Sequence, residues 1–501
     1  MGKLKIGWAS RDVSTTKPVD IPGQFHIRVS TGIIDPITVT ALVLESGGDI
    51  AVFLSGDFVS IRPYLVTETR DEIAKRLPGF PVEKIVICCT HTHAGASYYK
   101  SSSSMSTPDE IPHPGIEIAD SNEYRAFLVG KIADAIEEAY NGRAPGGIAY
   151  GYGYAVAGHS RRVVYFDDLS KRPGASAEAG VIVAGHAAMY GDTNDPMFSH
   201  YEAGADHFIN LLYTFDAAGK LTGAVMNVPC PSQNSEGESR LSASFWNEVR
   251  ELVRAKHGNI HLLSQCAAGG DLAPRLLHYK KAEARRFKLK FGTDNPKNVS
   301  ELFQRKDIAE RIAAAFDEVL AWAGKDIRAS VPLKHVVKNV ALARRFITDE
   351  EYRIELKQSK ELAATPFKKD GTPLEKLQHD SRLVACRHRS ERIVARYEAQ
   401  KTKPSLDMEL HVIRLGDIAF ATNCFEMYMD YMHRIQARSP FEQTFIIQLC
   451  GTPTDCGGYL ATERGEWGKG YSASLYCNGV SSKGGQELVE KTLEVLKEIH
   501  K

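Results

Sequence analysis

Short apolar runs alternate with amphipathic stretches along most of the chain. In the region 3–89, the apolar runs 37–44 and 50–54 have the length of strands and are separated by a glycine-containing turn. Residues 66–77 have helical periodicity, and the wholly apolar run 85–89 is typical of a buried strand. The first part of the chain is therefore predicted to form a sheet with a helix between two of its strands.

The same patterns continue to the C-terminus. Helices are predicted at 122–140, 243–257, 307–324 and 485–499, and strands at 208–215, 223–228, 410–415, 418–422 and 445–449. The stretch from about 280 to 403 is richer in charge and in helical periodicity, which indicates an inserted helical layer that can act as a lid. With no internal repeat and no long flexible linker, the pattern predicts an α/β (mixed α+β) fold, with one large catalytic domain over 1–501.

Composition narrows the classes of partner. Lys plus Arg equals Asp plus Glu at 62 each, so no overall field draws the protein to nucleic acid or to an anionic membrane. The N-terminus lacks the apolar run of a secretory signal, and no stretch has the length of a membrane span. We expect a cytoplasmic protein with a small-molecule substrate and no stable membrane association; a homo-oligomer stays open. The nine cysteines show no CxxC pairs and are expected to be mostly buried free thiols.

The most specific local signal is the segment Thr90-His91-Thr92-His93-Ala94-Gly95, which follows the apolar run 85–89. In extended backbone, positions i and i+2 point the same way, so His91 and His93 can face one pocket. Neutral imidazole binds zinc readily, and a second imidazole can exchange a proton beside it. The alternative is a pair of surface histidines on a loop.

Polar groups follow several other predicted strands. Asp57 ends the segment Leu54-Ser-Gly-Asp57, and Gly270 and Asp271 follow the run 260–263. Glu426 follows the strand 418–422, and Tyr459 lies in a glycine-rich loop after another strand. Each alone has a structural alternative, such as a helix cap for Asp57 or a tight turn for Gly270. Because strand ends of an α/β sheet usually carry its site, their recurrence predicts one shared crevice.

Taken in order, these motifs resemble those of the neutral (alkaline, non-lysosomal) ceramidase superfamily, whose members are zinc-dependent amidases. The resemblance begins at Gly7-Trp8-Ala9-Ser10-Arg11-Asp12, continues through the Asp57 strand, the Thr-His-Thr-His block, the Gly-Asp block, the late glutamate and the late Gly-Tyr, and spans most of the chain. The charged middle region has no counterpart in it. The C-terminal β-sandwich of those enzymes is expected to be absent.

The resemblance implies a zinc site. The family holds zinc with the first histidine of Thr-His-Thr-His, a second histidine, a late glutamate and a late tyrosine, which implies His91, Glu426 and Tyr459 as ligands here. The strand corresponding to the second histidine offers Cys230 instead, and thiolate is a good zinc ligand. Cys230 can equally be a buried structural thiol, with the ligand coming from elsewhere, such as His200 or His207.

A second departure concerns the nucleophile. The family's serine stands in Gly-Asp-Val-Ser-Pro, whereas this chain reads Gly270-Asp271-Leu272-Ala273-Pro274, and alanine cannot attack a carbonyl. The family's substrate-contacting arginine corresponds to Arg161 in Gly158-His159-Ser160-Arg161. We expect Arg161 and His159, together with Asp57 and Gly270, to contact substrate; a salt bridge of Arg161 with Asp167 or Asp168 is the alternative.

These observations predict a Zn²⁺-dependent hydrolase that activates water directly, with His93 or Asp271 moving the proton. Ceramide needs an apolar groove and membrane access, so a small polar amide, ester, lactone or sugar derivative is the expected substrate. Two further hypotheses remain: a metal-dependent lyase or isomerase acting on a sugar-like substrate, and a non-catalytic ligand-binding homologue.

Overall fold

The computed structural model describes residues 2–100, 105–292 and 302–501. The strands in chain order are β1 (Lys5–Asp12), β2 (Thr38–Ser46), β3 (Asp49–Gly56), β4 (Ile85–Cys89), β5 (Ala144–Tyr154), β6 (His159–Ser160), β7 (Arg162–Tyr165), β8 (Ala187–Met189), β9 (Phe198–Tyr201), β10 (Phe208–Asp216), β11 (Leu221–Val228), β12 (His261–Cys266), β13 (Leu272–Ala273), β14 (Leu333–Ala343), β15 (Ser405–Leu415), β16 (Ile418–Thr422), β17 (Glu426–Met427), β18 (Gln443–Ile447) and β19 (Tyr459–Leu460). The α-helices are α1 (Pro63–Arg76), α2 (Ser121–Asn141), α3 (Ala177–Ile182), α4 (Phe245–His257), α5 (Lys280–Phe291), α6 (Gln304–Ala323), α7 (Asp349–Ala364), α8 (Pro373–Gln400), α9 (Met429–Gln436), α10 (Glu463–Gly468) and α11 (Ser482–His500).

Two sheets form the centre of the fold. The larger has eight strands in the order β12-β11-β10-β5-β1-β2-β3-β4, and the smaller has four in the order β14-β15-β16-β18. Most neighbours are antiparallel, but β3 and β4, β11 and β12, and β16 and β18 run parallel. Because parallel strands end at the same edge, each of these pairs delivers two loops to one rim.

The two sheets pack face to face. Their inner faces share one apolar cluster, in which the Phe53 ring of β3 lies 5.0 Å from the Phe420 ring of β16. Helices α1 and α2 cover one part of the outer face of the larger sheet, and α4 and α6 cover the other part. Helices α9 and α11 cover the smaller sheet. The layers therefore run helix, sheet, sheet, helix, which confirms the mixed α/β prediction.

The middle region is less helical than expected. Between residues 280 and 403 it contains helices α5 to α8, but also β14, which pairs with β15 along eleven residue pairs from Leu333 to Ala343. This stretch therefore contributes a whole strand to the smaller sheet as well as a helical layer. Its assignment as an insertion stays a prediction.

Strand β5 is not evident from the sequence, because its residues APGGIAYGYGY are rich in glycine and proline, which are rare in strand interiors. Helix α6 explains two of the strand's four glycines. A β carbon at Gly151 would lie 2.3 Å from the Trp322 ring, and one at Gly153 would lie 2.9 Å from Val319. The helix approaches the strand too closely for larger side chains.

In the described parts of the chain, the helices are too short or too polar to traverse a lipid bilayer.

Candidate active site

His91 stands at the end of β4, on the rim where strands of both sheets end. It is 4% exposed, and its φ of +61° lies in the left-handed region that side chains other than glycine rarely adopt. Backbone in this region is held by surrounding structure and is concentrated at functional sites. Here the loop after β3 holds it, because His91 Nδ1 donates a hydrogen bond to the carbonyl oxygen of Val59.

That hydrogen bond fixes the tautomer of His91. A carbonyl oxygen can only accept, so the ring proton of neutral His91 is on Nδ1 and its Nε2 carries a lone pair. Nε2 lies 3.2 Å from Oε2 of Glu426 and 3.3 Å from Nε2 of His93. A lone pair facing a carboxylate is repulsive unless a proton or a cation lies between them. This arrangement is the one that metal-binding histidines use, with a backbone carbonyl on the other ring nitrogen.

Glu426 and Tyr459 are brought together by a short parallel pairing of β17 with β19, in which they are direct partners. The amide of Glu426 donates to the carbonyl of Gly458 at 2.9 Å, which fixes the register. Burial alone would raise the pKa of Glu426, but a positive charge on His91, the guanidinium of Arg161 and a hydrogen bond from Tyr459 lower it below its usual value. Glu426 is therefore a carboxylate at neutral pH.

Arg161 joins these groups from the junction between β6 and β7. Its guanidinium is buried and donates to the carbonyl of Gly270 at 2.8 Å, to Tyr459 Oη at 3.2 Å and to Glu426 Oε2 at 3.4 Å. The surface salt bridge considered for Arg161 is made by another residue, since Asp167 pairs with Arg172. Arg161 thus holds the carboxylate and the phenol in place.

His93 is the second imidazole, and it is held as a neutral base. Burial, followed by electrostatic repulsion from His91, Arg28, Arg161 and Arg275, lowers the pKa of His93 well below its usual value. Its Nδ1 lies 3.5 Å from Glu236 Oε2, and its Nε2 accepts a hydrogen bond from the Gln233 side-chain amide at 3.0 Å. An unprotonated Nε2 can take up a proton.

Gln233 is a site residue that the sequence patterns did not single out. Besides contacting His93, its Oε1 accepts from Arg161 Nη1 at 3.3 Å. It lies on the loop after β11, three residues beyond Cys230, in the segment where the resemblance required a ligand. Its position after a strand of a parallel pair was the one feature in the sequence that could have indicated it. The sequence analysis selected Cys230 instead because a thiolate is a good zinc ligand.

Cys230 lies among packing residues. Its thiol donates to the carbonyl of Pro231 at 3.4 Å, and it belongs to the apolar cluster that contains Phe245 and Trp246. Burial raises the pKa of this thiol well above its usual value, so it is neutral. His200 and His207, which were also candidates for the missing ligand, are exposed on the surface. A fourth ligand from any of these three stays a prediction.

Asp57 forms a buried ion pair beneath the site. Arg250 contacts it twice, at 2.8 and 3.0 Å, and Asp57 also accepts from the Thr38 amide at 2.8 Å and from Thr90 Oγ1 at 3.2 Å. The Asp57 side chain is fully buried. Its described contacts anchor the residue before His91, so its predicted contact with substrate has no support in this geometry.

Asp271 and His159 also face other parts of the molecule. Asp271 accepts the amide of Met429 at 2.9 Å, at the first turn of α9, and burial raises its pKa to about 6. His159 pairs with Ala273 and lines a separate cavity of about 380 Å³ that includes Arg311. Burial and Arg311 lower the pKa of His159 to about 4. Their predicted roles as proton carrier and substrate contact stay predictions.

Gly270 positions both Arg161 and Glu426. Its carbonyl accepts from Arg161, and its amide donates to the carbonyl of Met427 at 2.8 Å. A β carbon at this position would lie 2.2 Å from the carbonyl oxygen of Glu426.

Gly270→Ala is therefore expected to lower the free energy of unfolding by about 1–3 kcal/mol, the usual cost of overpacking against atoms that cannot retreat. Denaturation in urea measures this loss. Gly130→Ala is the matched control, since an added β carbon at this position of α2 meets no atom within 4 Å. Equal stability of the two variants would contradict the close approach of Gly270 to Glu426.

A cavity of about 550 Å³ opens onto this cluster, and its lining includes His91, His93, Glu426 and Tyr459. Its volume is in the range of small-molecule sites. In the residues that the structure describes, no group of three His, Cys, Asp or Glu side chains is arranged as a ready metal site. The set His91, Glu426 and Tyr459 contains only two residues of those types, and its third donor is a phenol.

The imidazole and the carboxylate of this set fit a zinc ion. In tetrahedral sites with bonds of about 2.0–2.1 Å, neighbouring donors lie about 3.3 Å apart. The separation of 3.2 Å between His91 Nε2 and Glu426 Oε2 agrees with that spacing. The His91 imidazole and the ionised Glu426 carboxylate are donor types that zinc accepts. Burial raises the pKa of the Tyr459 phenol well above its usual value, so Tyr459 as a third donor stays a prediction.

Comparison with known proteins supports the fold. No family model matches the chain, and no curated protein matches its sequence. Among solved structures, a neutral ceramidase from Pseudomonas aeruginosa matches with a TM-score of 0.66 and 14% identity, over 99% of this chain and 75% of that one. A structure described as a ceramidase complexed with C2 matches with a TM-score of 0.64 and 14% identity, over 100% of this chain and 76% of that one. The chain therefore has a ceramidase-like fold, as the motifs indicated.

Proposed function

We propose that this protein is a zinc-dependent hydrolase that cleaves a small polar amide, ester or sugar-derived substrate with water as the nucleophile. The observation that carries the proposal is the position of the His91 ring, whose Nδ1 contacts the carbonyl of Val59 and whose Nε2 faces the carboxylate of Glu426 at 3.2 Å in the wall of a substrate-sized cavity. The ceramidase-like fold agrees with a hydrolase.

His91, Glu426 and Tyr459 are the proposed ligands. When bound, zinc supplies a Lewis acid that polarises a carbonyl and lowers the pKa of water toward about 7. Arg161 keeps Glu426 and Tyr459 in position through a hydrogen bond to each.

His93 is the proposed proton carrier. Its Nε2 is unprotonated and accepts a hydrogen bond from the Gln233 amide, which orients the ring. The attacking water can transfer a proton to this lone pair once the water replaces the amide as the donor. The same ring can then return the proton to the leaving nitrogen or oxygen. Positioned proton transfer of this kind contributes roughly 100-fold to 10,000-fold in rate. This assignment needs no serine at position 273, where the chain has alanine.

Two measurements on the purified protein test the proposal. Elemental analysis is expected to find roughly one zinc ion per chain, as in single catalytic zinc sites. A panel of N-acyl amides, esters, lactones and acylated sugars is then incubated in water labelled with heavy oxygen. Hydrolysis places the label in the acid product.

A different result in these measurements would overturn a different part of the proposal. Turnover without label incorporation would replace hydrolysis by elimination or isomerisation. Absence of zinc after supplementation with zinc salts would overturn the metal site. Zinc without turnover of any substrate class would favour a binding protein.

A further inference from the structure

The cavity continues from the His91 cluster toward a wall of positive charge. The Tyr459 ring lies 5.9 Å from the Tyr471 ring, and the guanidinium of Arg389 lies 5.9 Å from the Tyr471 centroid and 4.4 Å from that of Tyr476. The cationic side chains of the lining are Arg62, Arg344, Arg389, Arg392, Arg396 and Lys403. Three carboxylates, Asp407, Asp455 and Glu426, face the same space. Since the whole chain has a formal net charge of zero, this excess of positive charge is local.

Three arginines at the centre of this wall make no salt bridge in the part of the chain that the structure describes, although the charges of Glu355 and Asp455 act on Arg389 and Arg392 at longer range. Among the described residues, no carboxylate oxygen lies within the 4.0 Å of a salt bridge from Arg62, Arg389 or Arg392. Lys403 differs, because Asp407 lies 3.3 Å from its Nζ. Arg396 donates to two backbone carbonyls, those of Leu475 and Asn478.

Crowding of these cations is costly without a counter-ion. Burial, and next the charges of Arg392, Arg345 and Arg344, lower the pKa of Arg396 to about 9. Like charges in a partly desolvated space destabilise one another, and a bound anion removes that repulsion. The cluster therefore favours a negatively charged occupant.

Aromatic rings hold two of these guanidinium groups in an orientation that suits a bound anion. Arg389 lies over the Phe25 ring at 5.0 Å and over Tyr476, and Arg62 lies over Tyr99 at 4.4 Å. Stacking on aromatic rings fixes the plane of a guanidinium and leaves its N–H groups available. Planar forks of this kind bind carboxylate, sulfate and phosphate oxygens in pairs.

Helix α8 supplies three of these arginines at one face. Arg389, Arg392 and Arg396 are separated by three and four residues, which places them side by side on the helix surface. The stretch that includes α8 is the one for which the sequence offered no counterpart in the family it resembles.

We propose that the cavity binds a small substrate carrying a carboxylate, sulfate or phosphate group, with that group on Arg389 and Arg392 and the scissile bond at the His91 end. The anionic group is assigned by the arginine cluster alone, whereas the position of the scissile bond rests on the proposed hydrolase function. Only the two together define the substrate class.

Calorimetric titration tests the anion site without turnover. Inorganic phosphate, sulfate and citrate are titrated separately into the wild-type protein and into His91→Ala, in a low-salt buffer near pH 7. We expect saturable binding of at least one anion to both proteins, and the tightest of the three identifies the group. In Arg389→Gln/Arg392→Gln the dissociation constant is expected to rise by about tenfold or more, since hydrogen bonds to charged groups are among the stronger ones.

Arg382→Gln is the matched control, because Arg382 lies on the same helix and is exposed, but is not among the residues that line the cavity. It is expected to bind the anion as the wild type does. Should the double variant fail to fold by circular dichroism, Arg392→Gln replaces it, since Arg392 is exposed and lines the cavity. A rise of about threefold or more in the dissociation constant is then expected.

Four results would overturn the proposal: no saturable binding of any of the three anions to the wild type, unchanged binding in the arginine variants, an equal loss in Arg382→Gln, or a loss of binding in His91→Ala. The last result would mean that a metal, not the arginines, holds the anion. Anion binding in a protein that has neither zinc nor hydrolytic activity would instead leave the anion site standing and refute the hydrolase.

Discussion

His91→Ala is expected to abolish stoichiometric zinc binding and to lower kcat/KM by more than about 100-fold, since even the loss of a residue that only supports a metal ligand costs about 10–100-fold. The change removes the one donor whose free lone pair is fixed by the carbonyl of Val59. It also removes the ring contact to His93. Metal content and steady-state kinetics on a substrate identified in the hydrolysis screen measure both effects.

His379→Ala controls for the loss of a histidine as such. His379 lies on α8 with about half of its side chain exposed, beside Asp380 and not in the cavity lining. The zinc content and kcat/KM of this variant are expected to match those of the wild type. Glu426→Gln is a second test, because it keeps the shape of the side chain and removes the charge. Full zinc occupancy in both His91→Ala and Glu426→Gln would refute the assigned site.

Asp57→Ala is expected to lower the free energy of unfolding by about 3–5 kcal/mol, the usual cost of breaking a buried ion pair and leaving one charge alone. Arg250 is the charge left behind, and its side chain is 9% exposed. The change also removes the acceptor for Thr38 and Thr90. Denaturation in urea measures the loss.

The double variant Asp57→Ala/Arg250→Met separates charge from packing. With both charges gone, the free energy of unfolding is expected to recover part of the loss, because a buried pair replaced by apolar groups is often nearly neutral. If Asp57→Ala lowers the free energy of unfolding by less than about 1 kcal/mol, the pair contributes no more to stability than a surface salt bridge does.

The periodic parts of the fold were predictable from the sequence. Strands β4 and β16 lie at the residues where the pattern predicts them, and α4 and α11 lie within three residues of the prediction at either end, because each has an apolar face or a wholly apolar run. Strand β5 was not predictable from its sequence. Gly151 and Gly153 are needed because α6 packs closely against the strand, and that packing is a long-range contact. Local propensity contains no information about such a contact.

The candidate site was predictable only in part. His91, Glu426 and Tyr459 follow strand ends, and strand ends can be read from apolar runs. Asp57 and Asp271 also follow strands, yet they bind Arg250 and the start of α9. A sequence shows that a polar residue lies at a rim but not which neighbour satisfies it. Arg389 and Arg392 lie on a helix far along the chain, so only the fold reveals that they share a cavity with His91.

The cluster draws on segments that are remote in sequence and on both sheets. Arg161 and Tyr459, which are hydrogen-bonded, are 298 residues apart, and Arg161 and Glu426 are 265 residues apart. Contacts of such high contact order form late, since long loops must close first. During synthesis, a ribosome-bound chain that stops before β17 lacks two of the three proposed zinc ligands, so chelation can accompany only the last stage of maturation. The proposed activity is therefore expected to report complete folding, and separately expressed halves should show it only after reassociating.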